Sequence, residues 1–168
     1  MSPSPRIIVL MGPAGAGKTT IGLLLAQSLG WRFLDADDFH SPENIARMRQ
    51  GIALTDADRA PWLASIRDAL EQVYRAHSTA VLACSALKEE YRAALTPDDA
   101  QGILRFVYLR ASPKVLEDRL AHRVGHYAGP ELLQSQLATL EEPPDALWVD
   151  ASREPAEIVR EIRDKLSL

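Results

Sequence analysis

Five apolar residues, Ile7-Ile8-Val9-Leu10-Met11, run directly into Gly12-Pro13-Ala14-Gly15-Ala16-Gly17-Lys18-Thr19, which matches the pattern G-x-x-x-x-G-K-[ST]. A buried strand passing through a glycine-rich loop into a helix leaves a chain few choices of fold. The glycines let the backbone curl so that successive N–H groups point inward at phosphate oxygens, and the following helix offers its positive end to the same anion. Lys18 then reaches the β- and γ-phosphates of a nucleoside triphosphate. Thr19 supplies a hydroxyl oxygen for Mg²⁺, a hard cation that prefers oxygen ligands. The nucleotide-binding set is thus Gly12, Pro13, Ala14, Gly15, Ala16, Gly17, Lys18, Thr19 and the adjoining Thr20.

Strands and helices alternate along the rest of the chain. Residues 19–29 carry apolar side chains at helical spacing, with Gly30 as a C-terminal stop. A short strand over 31–34 runs into Asp35-Ala36-Asp37-Asp38, and Ser41-Pro42 reads as a capped helix start. A long helical pattern covers 56–77, followed by a fully apolar strand over 80–84. A fourth strand over 104–109, a helix from Ser112-Pro113 to about Arg123, a break over 124–129 and a helix over 130–140 follow. A fifth strand over 146–149 and an amphipathic helix from Pro155 to Leu166 complete the chain. This alternation predicts an α/β domain: a five-stranded parallel sheet flanked by helices, in three layers, with ligands at the carboxyl ends of the strands.

Length and composition agree with one domain spanning 1–168, large enough to bury about 70% of its unfolded surface. A net charge of −4 gives no nucleic-acid footprint, and no apolar run approaches membrane-spanning length, so neither nucleic acid nor membrane is an expected partner. Cys84 is the single cysteine, which excludes an intramolecular disulfide and fits a reducing, cytoplasmic setting with Cys84 as a small buried group. Trp31, Trp62 and Trp148 all sit in apolar periodicity and read as core.

Phosphoryl transfer needs groups that neutralise charge, hold Mg²⁺ and fix an acceptor oxygen in line. Asp35 and Asp37 stand two apart at a strand end, so one can face Mg²⁺ while the other meets an acceptor hydroxyl. By spacing alone they equally make a solvated acidic turn. Arg47, Arg49 and Arg59 follow them, where an anionic acceptor would explain all three and surface charge would also serve. Lys88, four residues beyond a buried strand, points toward the ligand face, and a solvated lysine near a helix start has the same pattern. Arg119 and Arg123 share one helix face leading into Gly125-His126-Tyr127-Ala128-Gly129, which reads as a flap able to close over the nucleotide; an exposed basic helix end has the same pattern. His126 is the histidine within that flap.

Several blocks resemble the gluconokinase family: Leu34-Asp35-Ala36-Asp37-Asp38-Phe39-His40, Asp58-Arg59-Ala60-Pro61-Trp62-Leu63, Cys84-Ser85-Ala86-Leu87-Lys88, Gly125-His126-Tyr127 and Leu140-Glu141-Glu142-Pro143. The resemblance spans residues 7–150 and implies a P-loop kinase fold with a lid near 119–136 and a substrate-binding region near 38–62. It implies phosphorylation of D-gluconate at the 6-hydroxyl by ATP with Mg²⁺, in a homodimer. By position, Lys18 and Thr19 would serve phosphate and Mg²⁺, with Asp35 beside the metal. Asp37 would meet the acceptor, and Arg49, Arg59, Lys88, His126 and Gln136 would bind the sugar-acid. Arg119 and Arg123 resemble lid arginines, and Arg119 with the stretch through Pro155 would flank adenine. Within the loop only Pro13 gives up an N–H donor. Shikimate kinases usually carry a glycine triplet where this chain has Ser85-Ala86-Leu87-Lys88, and nucleotide kinases lack D-R-x-P-W-L. A nucleotide-dependent switch would keep the loop but needs no acceptor pocket.

Overall fold

The computed structural model describes residues 5–100, 102–123 and 130–168. At its centre lies strand β1 (Ile7–Met11), every residue of which is 0% exposed. A strand covered on both faces is apolar throughout because neither face meets water. Ile8 and Leu10 enter one core with Leu25, Val107 and Ile158, whereas Ile7, Val9 and Met11 enter a second with Ile66, Leu70 and Leu82. Helices α1 (Lys18–Leu29) and α7 (Pro155–Leu166) cover the first face, and α3 (Asp56–Arg75) and α4 (Glu89–Leu95) the second. Three layers result, as the alternation predicts.

Strands β2 (Arg32–Asp35), β3 (Ala80–Ala83), β4 (Leu104–Arg110) and β5 (Leu147–Asp150) join β1 in the order β2-β3-β1-β4-β5, all pairs parallel. The chain passes from β1 to the β2 edge, returns through β3, and then crosses to β4. The direction of winding thus reverses at β1, and the crevice at its carboxyl end, where ligands gather in such sheets, is the place the glycine loop occupies.

Helix ends follow their local chemistry. Gly30 takes a left-handed φ of 69° and donates back to the Ala26 and Gln27 carbonyls, closing α1. Ser41 caps α2 (Pro42–Arg49), and Ser112 caps α5 (Pro113–Ala121). Thr55 and Asp58 form a reciprocal capping box on α3. Helix α6 (Pro130–Thr139) follows the segment 124–129, so the expected flap and His126 lie outside the described residues.

Three expectations are revised. Strand β2 ends at Asp35, which belongs to the sheet and whose side chain caps a 3-10 turn, Ala36–Phe39, by accepting from the Asp37 N–H. Helix α4 is too short for periodicity to reveal, since so few residues form a helix only with tertiary support. Trp148 is 44% exposed and is not core: it sits on the edge strand β5, its ring against Tyr108 (centroids 5.3 Å apart) and the Arg110 guanidinium (5.9 Å). A four-residue apolar strand does not disclose which of its faces is covered. Trp62 is buried and Trp31 is partly buried against the first core, as expected.

Helix α1 lies tightly over β2, because a Cβ added at Gly22 would stand 2.5 Å from Cε2 of Phe33. Gly22→Ala is therefore expected to destabilise the fold by about 1–3 kcal/mol through overpacking. Urea unfolding checks this; an unchanged midpoint would contradict the close approach.

Candidate active site

The loop after β1 holds its shape through backbone that side chains rarely adopt: φ is +86° at Gly15 and +97° at Gly17, the cap of α1. A Cβ at Gly15 would also lie 3.1 Å from the Leu116 carbonyl oxygen, so a bare residue here lets α5 rest on the loop. Helix α5 uses that proximity. Arg119 donates from Nη1 to the Gly15 and Ala16 carbonyls (3.2 and 3.4 Å) and from Nη2 to the Ala151 carbonyl (2.6 Å). It thereby braces the loop and binds it to the segment after β5.

Lys18 curls into the loop, its Nζ donating to the Gly12 and Pro13 carbonyls at 2.9 and 3.0 Å. Desolvation lowers its pKa, against the raising influence of Asp37. An anion placed in the loop is the natural counter-charge. Beside it, Thr19 Oγ1 donates to Asp35 Oδ2 at 3.0 Å, and Asp35 Oδ1 accepts the Asp37 N–H at 3.0 Å. Burial raises the Asp35 pKa, against the lowering influence of the hydrogen bonds from the Asp37 N–H and the Thr19 hydroxyl. A hydroxyl and a carboxylate oxygen so placed fit Mg²⁺, which takes one or two protein oxygens together with phosphate and water.

Two depressions meet at the loop. The first is lined by Lys18, Thr19, Asp35 and Asp37 together with His40, Arg59, Trp62, Cys84, Ser85, Arg123 and Gln136. Arg59 is steered into it by donating to the Leu54 carbonyl (2.8 Å) and the Tyr91 hydroxyl (3.1 Å). Tyr91 in turn donates to Asp56, which also accepts from Lys88 at 3.2 Å. Gln136 on α6 reaches the loop, its Oε1 accepting the Ala14 N–H at 2.7 Å. Cys84 is buried, and desolvation pushes its thiol up to about 12, which leaves it inert as a nucleophile. The second depression is lined by Gly15, Thr20, Arg119, Arg123, Arg153 and Pro155 among others. Arg123 borders both.

The structure brings together most of the residues expected from sequence and leaves three apart. Lys88 stands at the cap of α4, engaged with Asp56, and does not line the cleft. Arg49 is exposed on the last turn of α2, away from the cleft lining. Arg47 pairs with Asp58 at 2.9 Å, a structural tie. Sequence reasoning missed His40, Tyr91 and Arg92. Tyr91 and Arg92 ride on the unforeseen α4, where the buried Arg92 donates to the Ala86, Leu87 and Glu141 carbonyls (2.8, 3.2 and 3.0 Å). His40 ends the block Leu34-Asp35-Ala36-Asp37-Asp38-Phe39-His40, where no spacing rule distinguishes it.

A phosphate loop at the switch point of a parallel sheet, facing a cleft of acids and arginines, defines a P-loop kinase. Comparison with known proteins agrees. The shikimate kinase family model matches residues 14–167. The gluconokinase of Gluconobacter oxydans is 45% identical over 165 residues, 96% of this chain and 92% of that protein. A solved gluconokinase from Sinorhizobium meliloti superposes with a TM-score of 0.85 at 44% identity, covering 98% of this chain and 93% of that one. An unliganded sugar kinase from Janibacter gives 0.86 at 40% identity, covering 97% and 95%. The chain belongs to the gluconokinase family, within the shikimate-kinase group of P-loop kinases.

Lys18→Ala is expected to lower kcat by a factor on the order of 10³ while unfolding stays cooperative, since in phosphate loops of this pattern a lysine ammonium offsets the charge of the transferred group. Steady-state kinetics and thermal melting check both halves. A second expectation concerns acid. Burial, aided by Arg59 and opposed by Asp37, pushes His40 down from 6.5 to about 4. In that interval the unfolded chain binds the proton and the fold does not, so stability falls as pH drops from 6.5 toward 4. His40→Phe should flatten this part of the pH–stability profile, and a wild-type slope in the variant would contradict it.

Proposed function

We propose that this protein phosphorylates D-gluconate at its 6-hydroxyl with ATP and Mg²⁺, releasing 6-phospho-D-gluconate and ADP. The reading rests on one juxtaposition: Lys18, Asp37 and Arg59 line a single cleft at the phosphate loop. The relatives named gluconokinase support the same acceptor.

The loop N–H groups and Lys18 receive the β- and γ-phosphates, and the second depression, with Arg119 and Pro155, receives the adenosine. Thr19 and Asp35 would hold Mg²⁺, which would offset the charge of the phosphates. Arg59 binds the sugar-acid carboxylate, a match of guanidinium to planar anion. Asp37 accepts a hydrogen bond from the 6-hydroxyl. The 6-oxygen forms a bond to the γ-phosphorus as the bond to the β,γ-bridging oxygen breaks, and the hydroxyl proton leaves toward Asp37. Arg123, which borders both depressions, stabilises charge on the transferred group.

In this reading residues 119–136 act as a lid that excludes water, with His126 and Gln136 closing on the acceptor. Residues 38–62 form the acceptor-binding region, and Arg49 and Lys88 join the sugar-acid on closure. The protein works in the cytoplasm as a homodimer.

ADP release with Mg·ATP and separate additions of D-gluconate, shikimate, a nucleoside monophosphate or no acceptor tests the reading. Release that depends on gluconate, with 6-phosphogluconate as product, is expected; equal slow release under all conditions would overturn it. Arg59→Ala should raise the gluconate KM by about 10- to 100-fold, as expected for losing a charge-assisted contact, and leave the ATP KM nearly unchanged.

A further inference from the structure

His40 stands on the cleft wall shared by the two groups assigned to the ends of the acceptor, Asp37 and Arg59, and the mechanism above gives it no task. Its position is fixed. Its ring lies flat on Trp62, with centroids 4.2 Å apart and planes 10° from parallel. Trp62 is itself anchored, buried and donating from its indole N–H to the Ala36 carbonyl at 2.7 Å. The His40 backbone N–H closes the 3-10 turn on the Asp37 carbonyl at 3.3 Å.

Nδ1 of this ring is buried and has no hydrogen-bond partner among the described residues. An unpaired buried ring nitrogen costs stability, and phenylalanine would stack on Trp62 without that cost. Unpaired buried N–H donors are rarer than unpaired acceptors, so Nδ1 suits the bare lone pair and Nε2 the proton. Asp37 and Arg59 are the charged groups that act on the ring, and desolvation with Arg59 keeps it neutral. A neutral N–H donor suits a hydroxyl oxygen and leaves the carboxylate to arginine.

We propose that His40 is a substrate-binding residue whose Nε2–H donates to a hydroxyl in the middle of the sugar-acid, between the 6-hydroxyl at Asp37 and the carboxylate at Arg59. This deepens the gluconate reading and rests on it. It assigns recognition of the interior hydroxyls, hence selection among epimeric sugar acids, to the His40–Trp62 pair.

Three variants separate binding from packing. His40→Phe keeps the stack and removes both nitrogens; His40→Gln can place an amide nitrogen near Nε2, and His40→Asn near Nδ1. With wild-type turnover of gluconate measured first, His40→Phe is expected to raise the gluconate KM about tenfold, the worth of one hydrogen bond, and to hold the ATP KM within about twofold. His40→Gln should restore most of the loss and His40→Asn little. His40→Phe should also narrow the preference for D-gluconate over D-galactonate, its C4 epimer. The proposal is overturned by a wild-type gluconate KM in His40→Phe, by equal rises in both KM values, or by rescue from Asn as good as from Gln. The Gln–Asn comparison decides the matter even where the Phe variant folds poorly. If the wild type does not phosphorylate gluconate, the functional reading itself falls and this assignment with it.

Discussion

Everything in this molecule depends on how β1 ends. A strand buried on both faces cannot stop in water, so its last residue hands the chain to a loop still surrounded by protein, and the N–H groups of that loop and of α1 need partners. Two of the polar groups at this loop are paired within the chain. The Ala14 N–H takes the side-chain oxygen of Gln136, and Lys18 turns back onto carbonyls of its own loop. A triphosphate satisfies donors and ammonium together, which is why the geometry reads as a binding site rather than a turn.

Around that centre the cleft is assembled from segments far apart in sequence. The side chains of α3 and α4 interlock through Asp56, Tyr91, Lys88 and Arg59, which aims Arg59 at the phosphate loop. Two of the family blocks meet physically: the Glu141 N–H donates to the Leu87 carbonyl at 2.8 Å, and Arg92 clamps the Ala86, Leu87 and Glu141 carbonyls together. Blocks that look like separate motifs are thus one packed corner. On the other side, Arg119 does two things at once, bracing the loop through Gly15 and Ala16 and lining the depression assigned to adenosine.

The parts of this architecture legible in the sequence were those with period or punctuation. β1, the loop, α1 with its Gly30 stop, and the capped starts of α2 and α5 each carry a local chemical cause, and the five parallel strands follow from their alternation with helices. Asp35, Asp37 and Arg59 stand out in the sequence because the two acids lie at a strand end and all three lie in specific blocks, and the structure lines one cleft with them. Tyr91, Arg92 and His40 do not, since their roles arise from tertiary contacts that no spacing encodes. Trp148 was misplaced because core and edge strands of four residues look alike. Lys88 was placed on the right end of the sheet but at the cleft's rim, held there by an Asp56 carboxylate that belongs to a different helix.

Phosphoryl transfer of this kind requires the acceptor hydroxyl to lie in line with the phosphate held at the loop. A crystal structure with Mg²⁺, a non-hydrolysable ATP analogue and D-gluconate measures that. It should place the 6-hydroxyl between Asp37 and the γ-phosphate, with the carboxylate on Arg59. Gluconate bound in the reverse sense, or outside the cleft that Lys18, Asp37 and Arg59 share, would contradict it.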